Sequence, residues 1–350
     1  MKILFLHTEI SGYFLAGATK LVELYGAEMH IVRYPINKEA PFKFAQQKNV
    51  FYYERREYDF EKLKNLVAQI NPQLIYCAGW IDKDYLKISK QYFDKIPTVL
   101  GFDNKWENTL KQNIATLLSP FYITNKFSHC FVAGQQQRKY AQKLGFKNEQ
   151  IFTGLYTADV DLFYSQSLIN KESKTKFFPK KFIYTARYVR HKGIENLWNS
   201  FDEIQKENPN EWELWCLGTG DITAFQHPKI KHFGFVQPDA MSEIIRQTGV
   251  FVLPSYFEPW GVAVHEFAAA GFPLLCSTEV GAASQFLEDG KNGYLFETKN
   301  KNSMKNAMKK MINLSNEKLN EMSNKSIELA KELTPEIWAT TVMKMVNGKL

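Results

Sequence analysis

Cysteine is scarce. The four that occur, Cys77, Cys130, Cys216 and Cys276, are isolated, and each sits inside an apolar, strand-like run. That pattern excludes a zinc site built from paired cysteines and a disulfide framework, and it implies buried free thiols in a reducing compartment. Long apolar runs are missing too: none approaches the ~20 residues needed to cross a bilayer. The opening MKILFLHTEISG reads as a first strand, its apolar run being too short for a signal peptide. The loop after that strand carries Gly12 but lacks G-x-G-x-x-G, which disfavours a nicotinamide or flavin cofactor. Low-complexity tracts, internal repeats and basic-aromatic motifs are absent, and nucleic acid is not an expected partner.

What is present is ample for buried cores. Hydrophobic residues make up 45% and aromatic residues 15% of 350 residues, enough for two cored domains. The net charge of +7 is uneven: residues 1–165 hold 21 Lys and Arg against 16 Asp and Glu, the remainder 23 against 21. Such a mild, diffuse excess is compatible with an ordinary solvated surface or with a basic face toward anionic lipid. Strand-like runs alternate with helical stretches along the whole chain, for example Met29 to Tyr34, Phe60 to Ile70, Leu74 to Gly79 and Gln135 to Leu144. That alternation predicts parallel sheets covered on both faces. A polar loop spans 36–50, and Gln166 to Lys176 reads as a linker. Asp159 and Asp161 form a D-x-D, but at an interdomain connection two aspartates alone do not make a metal site.

The stretch around which the second half is organised is FVLPSYFEPWGVAVHEFAAAG, Phe251 to Gly271. A buried strand ends at Pro254, a loop follows, and a helix opens at Gly261 or Val262 and stops at Gly271. Its helix start offers free N–H groups to an anion at the carboxyl end of a parallel sheet. Two carboxylates, Glu258 and Glu266, stand with seven residues between them. Earlier, KFIYTARYVRHKG places Arg187, Lys192 and Gly193 between a strand and a helix, with Arg190 and His191 as exposed bystanders. A forked guanidinium and a point-charge ammonium in that setting suit a diphosphate. Gly218 and Gly220 allow close backbone approach at a sheet edge. Asp103, after the strand Thr98 to Phe102, is either a proton acceptor or the cap of a helix over Lys105 to Leu118. Met304, Ala307, Met308, Met311 and Ile312 repeat at helical spacing with lysines opposite, either as a docked helix or as a membrane-surface one.

The E-x7-E segment, the continuation LLCSTEVGAASQFLEDGKNGYLFE and the Arg187–Lys192 spacing resemble the retaining family 4 glycosyltransferases of the glycosyltransferase-B fold. The resemblance implies two Rossmann-like domains facing a central cleft: an acceptor-binding domain over 1–165, a nucleotide-sugar-binding domain over 166–333, and a C-terminal helix, 334–350, crossing back to the first. It implies that Glu258 faces the donor sugar, that Glu266 binds the nucleotide ribose, and that Arg187 and Lys192 stabilise the departing diphosphate without metal or other cofactor. It further implies donor contacts at Gly12, Gly218, Phe235, Val236, Gly261, Val262 and Gly281. Two positions depart from the family: no histidine stands near Asp103, and Gln285 replaces a glutamate. The expected activity is transfer of a sugar from a nucleotide diphosphate to a hydroxyl of a glycan or lipid-linked acceptor, in cell-surface glycan biosynthesis. The expected location is cytoplasmic, with peripheral membrane association open. A non-catalytic nucleotide-sugar-binding subunit, or an epimerase or hydrolase on the same architecture, are the alternatives.

Overall fold

The computed structural model describes residues 1–36, 46–168 and 176–348. Residues 37–45 of the polar loop, and 169–175 of the expected linker, lie outside the described residues. The chain divides into two compact units, Met1–Thr157 with Leu333–Leu350, and Ala158–Glu332. The division after Thr157 falls ahead of the 165/166 boundary read from the sequence.

The first unit is built from β1 (Lys2–Leu6), α1 (Gly12–Tyr25), β2 (Glu28–Arg33), β3 (Val50–Glu54), α2 (Phe60–Ile70), β4 (Leu74–Ala78), α3 (Lys83–Tyr92), β5 (Thr98–Phe102), α4 (Leu110–Tyr122), β6 (His129–Val132), α5 (Gln135–Lys143) and β7 (Ile151–Thr153). Its seven strands lie in the order β3-β2-β1-β4-β5-β6-β7, and every pair is parallel. The central strands KILFL, LIYCA and TVLGF are nearly continuous apolar runs because helices cover both faces. Helix starts follow local chemistry: Asp59 accepts from the Lys62 N–H, and Asp82 from those of Asp84 and Tyr85.

The second unit contains α6 (Val160–Leu168), β8 (Lys181–Thr185), α7 (Ile194–Glu207), β9 (Glu213–Leu217), β10 (Ile230–Gly234), α8 (Ser242–Gln247), β11 (Val250–Leu253), α9 (Val262–Ala269), β12 (Leu274–Ser277), α10 (Ala283–Phe286), β13 (Gly293–Phe296), α11 (Lys301–Ile312) and α12 (Asn316–Ala330). Its parallel strands run β10-β9-β8-β11-β12-β13. The expected architecture of two doubly wound, Rossmann-like parallel sheets is therefore what the chain adopts. The strand order reverses between β1 and β4 in the first unit and between β8 and β11 in the second. Ligands of open α/β sheets bind at the carboxyl ends of such strands.

Three local expectations change. Gln166 is helical, at the end of α6, and its amide reaches the Pro238 carbonyl at 3.4 Å, so it belongs to the second unit and not to a linker. The helix expected over Lys105 to Leu118 starts only at Leu110, with Thr109 as its cap. Asp103 is therefore not a helix cap. The Met-rich α11 buries Met304, Ala307, Met308 and Met311, while Lys301, Lys305 and Lys309 pair with Glu203 and Glu207 of α7. Its lysines are engaged within the unit, and the helix is docked.

The last helix, α13 (Pro335–Asn347), belongs to the first unit. Trp338, at its first turns, is 2% exposed, and its indole N–H donates to the Leu155 carbonyl at 2.9 Å. Its ring lies among Phe5, Phe14 and Phe131, with centroids 6.1–6.2 Å away. Emptying that volume forfeits both transfer energy and packing. Trp338→Ala should cost about 3–5 kcal/mol, read as a lower urea midpoint in denaturation followed by circular dichroism.

Candidate active site

Two loops meet at the reversal point of the second sheet. The first leaves β8 and carries Arg187, His191 and Lys192 before α7; the second leaves β11 and carries Ser255, Glu258 and Trp260 before α9. The backbone knits them together, because the Tyr256 N–H donates to the His191 carbonyl at 2.7 Å. Gly193 permits this close approach. Its φ is +72°, and a Cβ there would sit 2.2 Å from the Pro254 carbonyl oxygen.

The result is an ion pair between the Lys192 ammonium and Glu258 Oε2, both largely shielded from water. The Ser255 hydroxyl donates to the same carboxylate oxygen at 3.3 Å. Glu258 is further fixed through its backbone: its carbonyl accepts from the Gly281 N–H at 3.0 Å, and Trp260 likewise accepts from Ala282 at 2.8 Å. A third loop is thus bound to the second, and Gly281 is needed where it passes, since a Cβ would lie 2.1 Å from the Pro259 carbonyl oxygen. Arg187 is exposed, and its carbonyl accepts the Tyr184 hydroxyl. His191 titrates below the usual range, first through loss of hydration and then through the charges of Lys192 and Arg187. The charges of Arg187 and Lys192 both reach His191, which is exposed as expected.

Glu266 sits on α9, half-buried, and burial of its carboxyl group, with Asp159 adding like charge, pushes its pKa up to about 7. The preceding residue anchors that helix. His265 is fully buried, accepts from the Ala158 N–H at 3.0 Å and lies 2.9 Å from the Ala330 carbonyl through Nε2. Nδ1 accepting makes Nε2 the protonated nitrogen. The imidazole also stacks on Phe286 at 4.0 Å. Sequence reading missed this positioning role, because Ala158 and Ala330 are distant in the chain. Asp159 accepts from the Leu162 N–H at 3.1 Å, in the manner of a cap for α6.

The other sequence-predicted residues fall around this corner or outside it. Gly261 caps α9 in a left-handed conformation, φ +92°, and Val262 is its first helical residue. Gly218 follows β9 with φ +134°, held against the Ala186 carbonyl. Phe235 and Val236 follow β10, the former 39% exposed. Gln285 lies half-buried in α10. Gly12 and Asp103 belong to the first unit. Gly12 opens α1 after Ser11. Asp103 follows β5, and its carboxylate is bonded by Tyr156, whose phenol burial and this neighbour hold well above the ordinary range. Burial above all holds the Tyr76 phenol well above the ordinary range, with Asp103 a minor contributor, and His7, stacked on Tyr76 at 5.9 Å, is kept neutral by burial, with a pKa lowered to about 4. His7 follows β1, Tyr76 lies within β4 and Tyr156 follows β7, so no local motif announces them. Among the described residues no group of three or more His, Cys, Asp or Glu is arranged to hold a metal.

Known proteins resemble this chain in sequence and shape. Residues 169–329, nearly all of the second unit, match the family model described as glycosyl transferases group 1. A curated relative, the uncharacterized glycosyltransferase MJ1607 of Methanocaldococcus jannaschii, is 28% identical over 134 residues, 36% of this chain and 34% of the relative. The N,N'-diacetylbacillosaminyl-diphospho-undecaprenol alpha-1,3-N-acetylgalactosaminyltransferase of Campylobacter jejuni is 20% identical over 78% of this chain and 73% of its own length. The chain spans only 34% of the length of MJ1607 and 45% of that of a second uncharacterized glycosyltransferase of the same organism, MJ1178. Among solved structures, sucrose-phosphate synthase from Thermosynechococcus elongatus superposes with a TM-score of 0.74 at 16% identity, over 99% of this chain and 98% of that one. Anabaena HepE, in complex with UDP and glucose, does so at 0.69 and 15%, over 99% and 100%. The fold is thus that of these glycosyltransferases, and the second unit is similar in sequence to their group 1 family.

The raised pKa of Glu266 has a measurable consequence. Its folded-state value, about 7, lies above the unfolded 4.5, so the folded state binds the extra proton in that window. Stability then falls as pH rises from about 4.5 to about 7. Glu266→Gln should flatten this fall, as measured by thermal melts across the same pH range.

Proposed function

We propose that the protein is a retaining glycosyltransferase that moves a sugar from a nucleoside diphosphate sugar to an acceptor hydroxyl of a glycan or lipid-linked molecule, in glycan assembly. The observation that carries this reading is the Lys192–Glu258 pair, with Arg187 beside it, at the reversal point of the second sheet. Breaking the sugar–phosphate bond builds negative charge on the diphosphate. A positioned ammonium and guanidinium stabilise that charge as it develops, so that no metal is required. Lys192 is paired with Glu258. A bound diphosphate competes for Lys192, and the released carboxylate is then available to accept hydrogen bonds from the sugar hydroxyls. Glu266, protonated or ionised near neutral pH, is suited to the ribose hydroxyls of the nucleotide. The backbone around Gly218, Phe235 and Val236 is available to the base, and Gly261, Val262 and Gly281 approach the donor closely. Gly12 and Asp103 are assigned to the first unit's share, Gly12 beside the donor and Asp103 accepting the proton of the acceptor hydroxyl. The capture of HepE with UDP-glucose and of trehalose-6-phosphate synthase with UDP-2-fluoro glucose supports a uridine diphosphate donor.

The donor class is read by thermal shift with a panel of nucleoside diphosphates and their sugars, since ligands that bind only the folded state raise the melting point. Product analysis with and without acceptor then separates transfer from hydrolysis or epimerisation. A chain that binds donor but turns over nothing with any acceptor would be a binding subunit instead. Lys192→Ala and Arg187→Ala should each lower kcat/KM for transfer by roughly 10²–10³, and Glu258→Ala should abolish it, with folding near normal by circular dichroism. Activity should survive EDTA; loss restored by added metal would overturn the metal-free proposal.

A further inference from the structure

Helix α4 (Leu110–Tyr122) is inside out. At 100° per residue, its inward side carries Gln112, Ala115 and Ser119, with Ser119 fully buried and its hydroxyl donating to the Leu144 carbonyl at 2.6 Å. Its outward side carries Leu110, Ile114, Leu117, Leu118, Phe121 and Tyr122. Leu110 is 78%, Leu117 76% and Phe121 70% exposed. Six large apolar side chains at i, i+4, i+7, i+8, i+11 and i+12 form one continuous stripe that stands exposed among the described residues of the first unit. Scattered exposed leucines are ordinary, but a stripe of this length marks a surface that meets something.

Charge indicates what it meets. The helix contains no acidic residue. Lys111 lies beside the stripe, and Lys126 closes the far end, its ammonium bonded to the Phe121 and Tyr122 carbonyls and lying 5.7 Å from the Tyr122 ring centre. The excess positive charge of the chain lies in this unit: it holds 23 Lys and Arg against 15 Asp and Glu, whereas the second unit holds 21 against 22. An apolar stripe with an aromatic end, set in a basic unit, is the arrangement of a helix that lies in the headgroup region of an anionic bilayer.

We propose that α4 docks the first unit onto an anionic membrane surface, with the stripe inserted at the headgroup–acyl boundary. The docking does not depend on the transferase reading. It is tested by co-sedimenting the full chain with vesicles of phosphatidylcholine containing phosphatidylglycerol, and with vesicles of phosphatidylcholine alone. The expected result is binding to the anionic vesicles that weakens with added salt. The double variant Leu117→Ser, Phe121→Ser should bind about tenfold or more weakly with an unchanged melting temperature, since both side chains are exposed. Absence of binding to anionic vesicles, or equal binding by the double variant, overturns the proposal. So does a concentration-dependent dimer in sedimentation equilibrium that the double variant abolishes, because the stripe would then be covered by a second copy.

Discussion

The loops at the reversal point of the second sheet are tied together around one ion pair. Lys192 and Glu258 come from loops after different strands, and neither is where it is unless both strands are. Parallel pairing of β8 with β11 sets the loops side by side, the Tyr256–His191 backbone bond fixes their spacing, and the Gly281 N–H holds Glu258 from the other side. Each contact is modest alone. Together they place a cation and an anion in a shielded corner with little freedom left to lose on binding a ligand. A partly buried pair of this kind costs hydration on both sides and adds little net stability. Its presence at a sheet edge, where cores are easily closed with apolar residues, points to use and not to structure.

Much of this was legible in the sequence because buried parallel strands announce themselves as apolar runs, and loops at their ends then take known places. The runs at Leu74 and Leu274, and the loops carrying Arg187, Lys192 and Glu258, needed only that logic. The start of α4 did not yield to it. Asp103 and Asn104 look like a cap, yet the Gln112 amide donates to the Lys105 carbonyl and accepts from the Glu107 N–H, and Asn108 turns left-handed at φ +56°. A side chain that satisfies the backbone in another way postpones the helix, and Thr109 caps it instead. Likewise, periodicity reveals a stripe without saying which way it faces. The methionines of α11 point inward and the leucines of α4 outward, and only the packed structure tells the two apart.

The first unit shows a complementary arrangement at its own sheet edge. Asp103, Tyr76, Tyr156 and His7 form a buried polar and aromatic group in which the phenols are held protonated and the imidazole neutral. A carboxylate bonded by a phenol, in surroundings that disfavour further charge, has a fixed orientation and a single acceptor role. No histidine follows β5; the imidazole of this group, His7, follows β1 and stacks on Tyr76.

The contribution of α13 to the first unit bears on how the protein is made. A ribosome delivers residues 1–157 first, then the whole second unit, and only after it the tryptophan that fills the space among Phe5, Phe14 and Phe131. The unit that begins earliest is therefore completed last, and its aromatic core waits open while its neighbour, uninterrupted in sequence, matures. Nascent chains should accordingly gain protease resistance first in the middle, and a polypeptide released a few turns short would carry a finished second unit beside an unfinished first one.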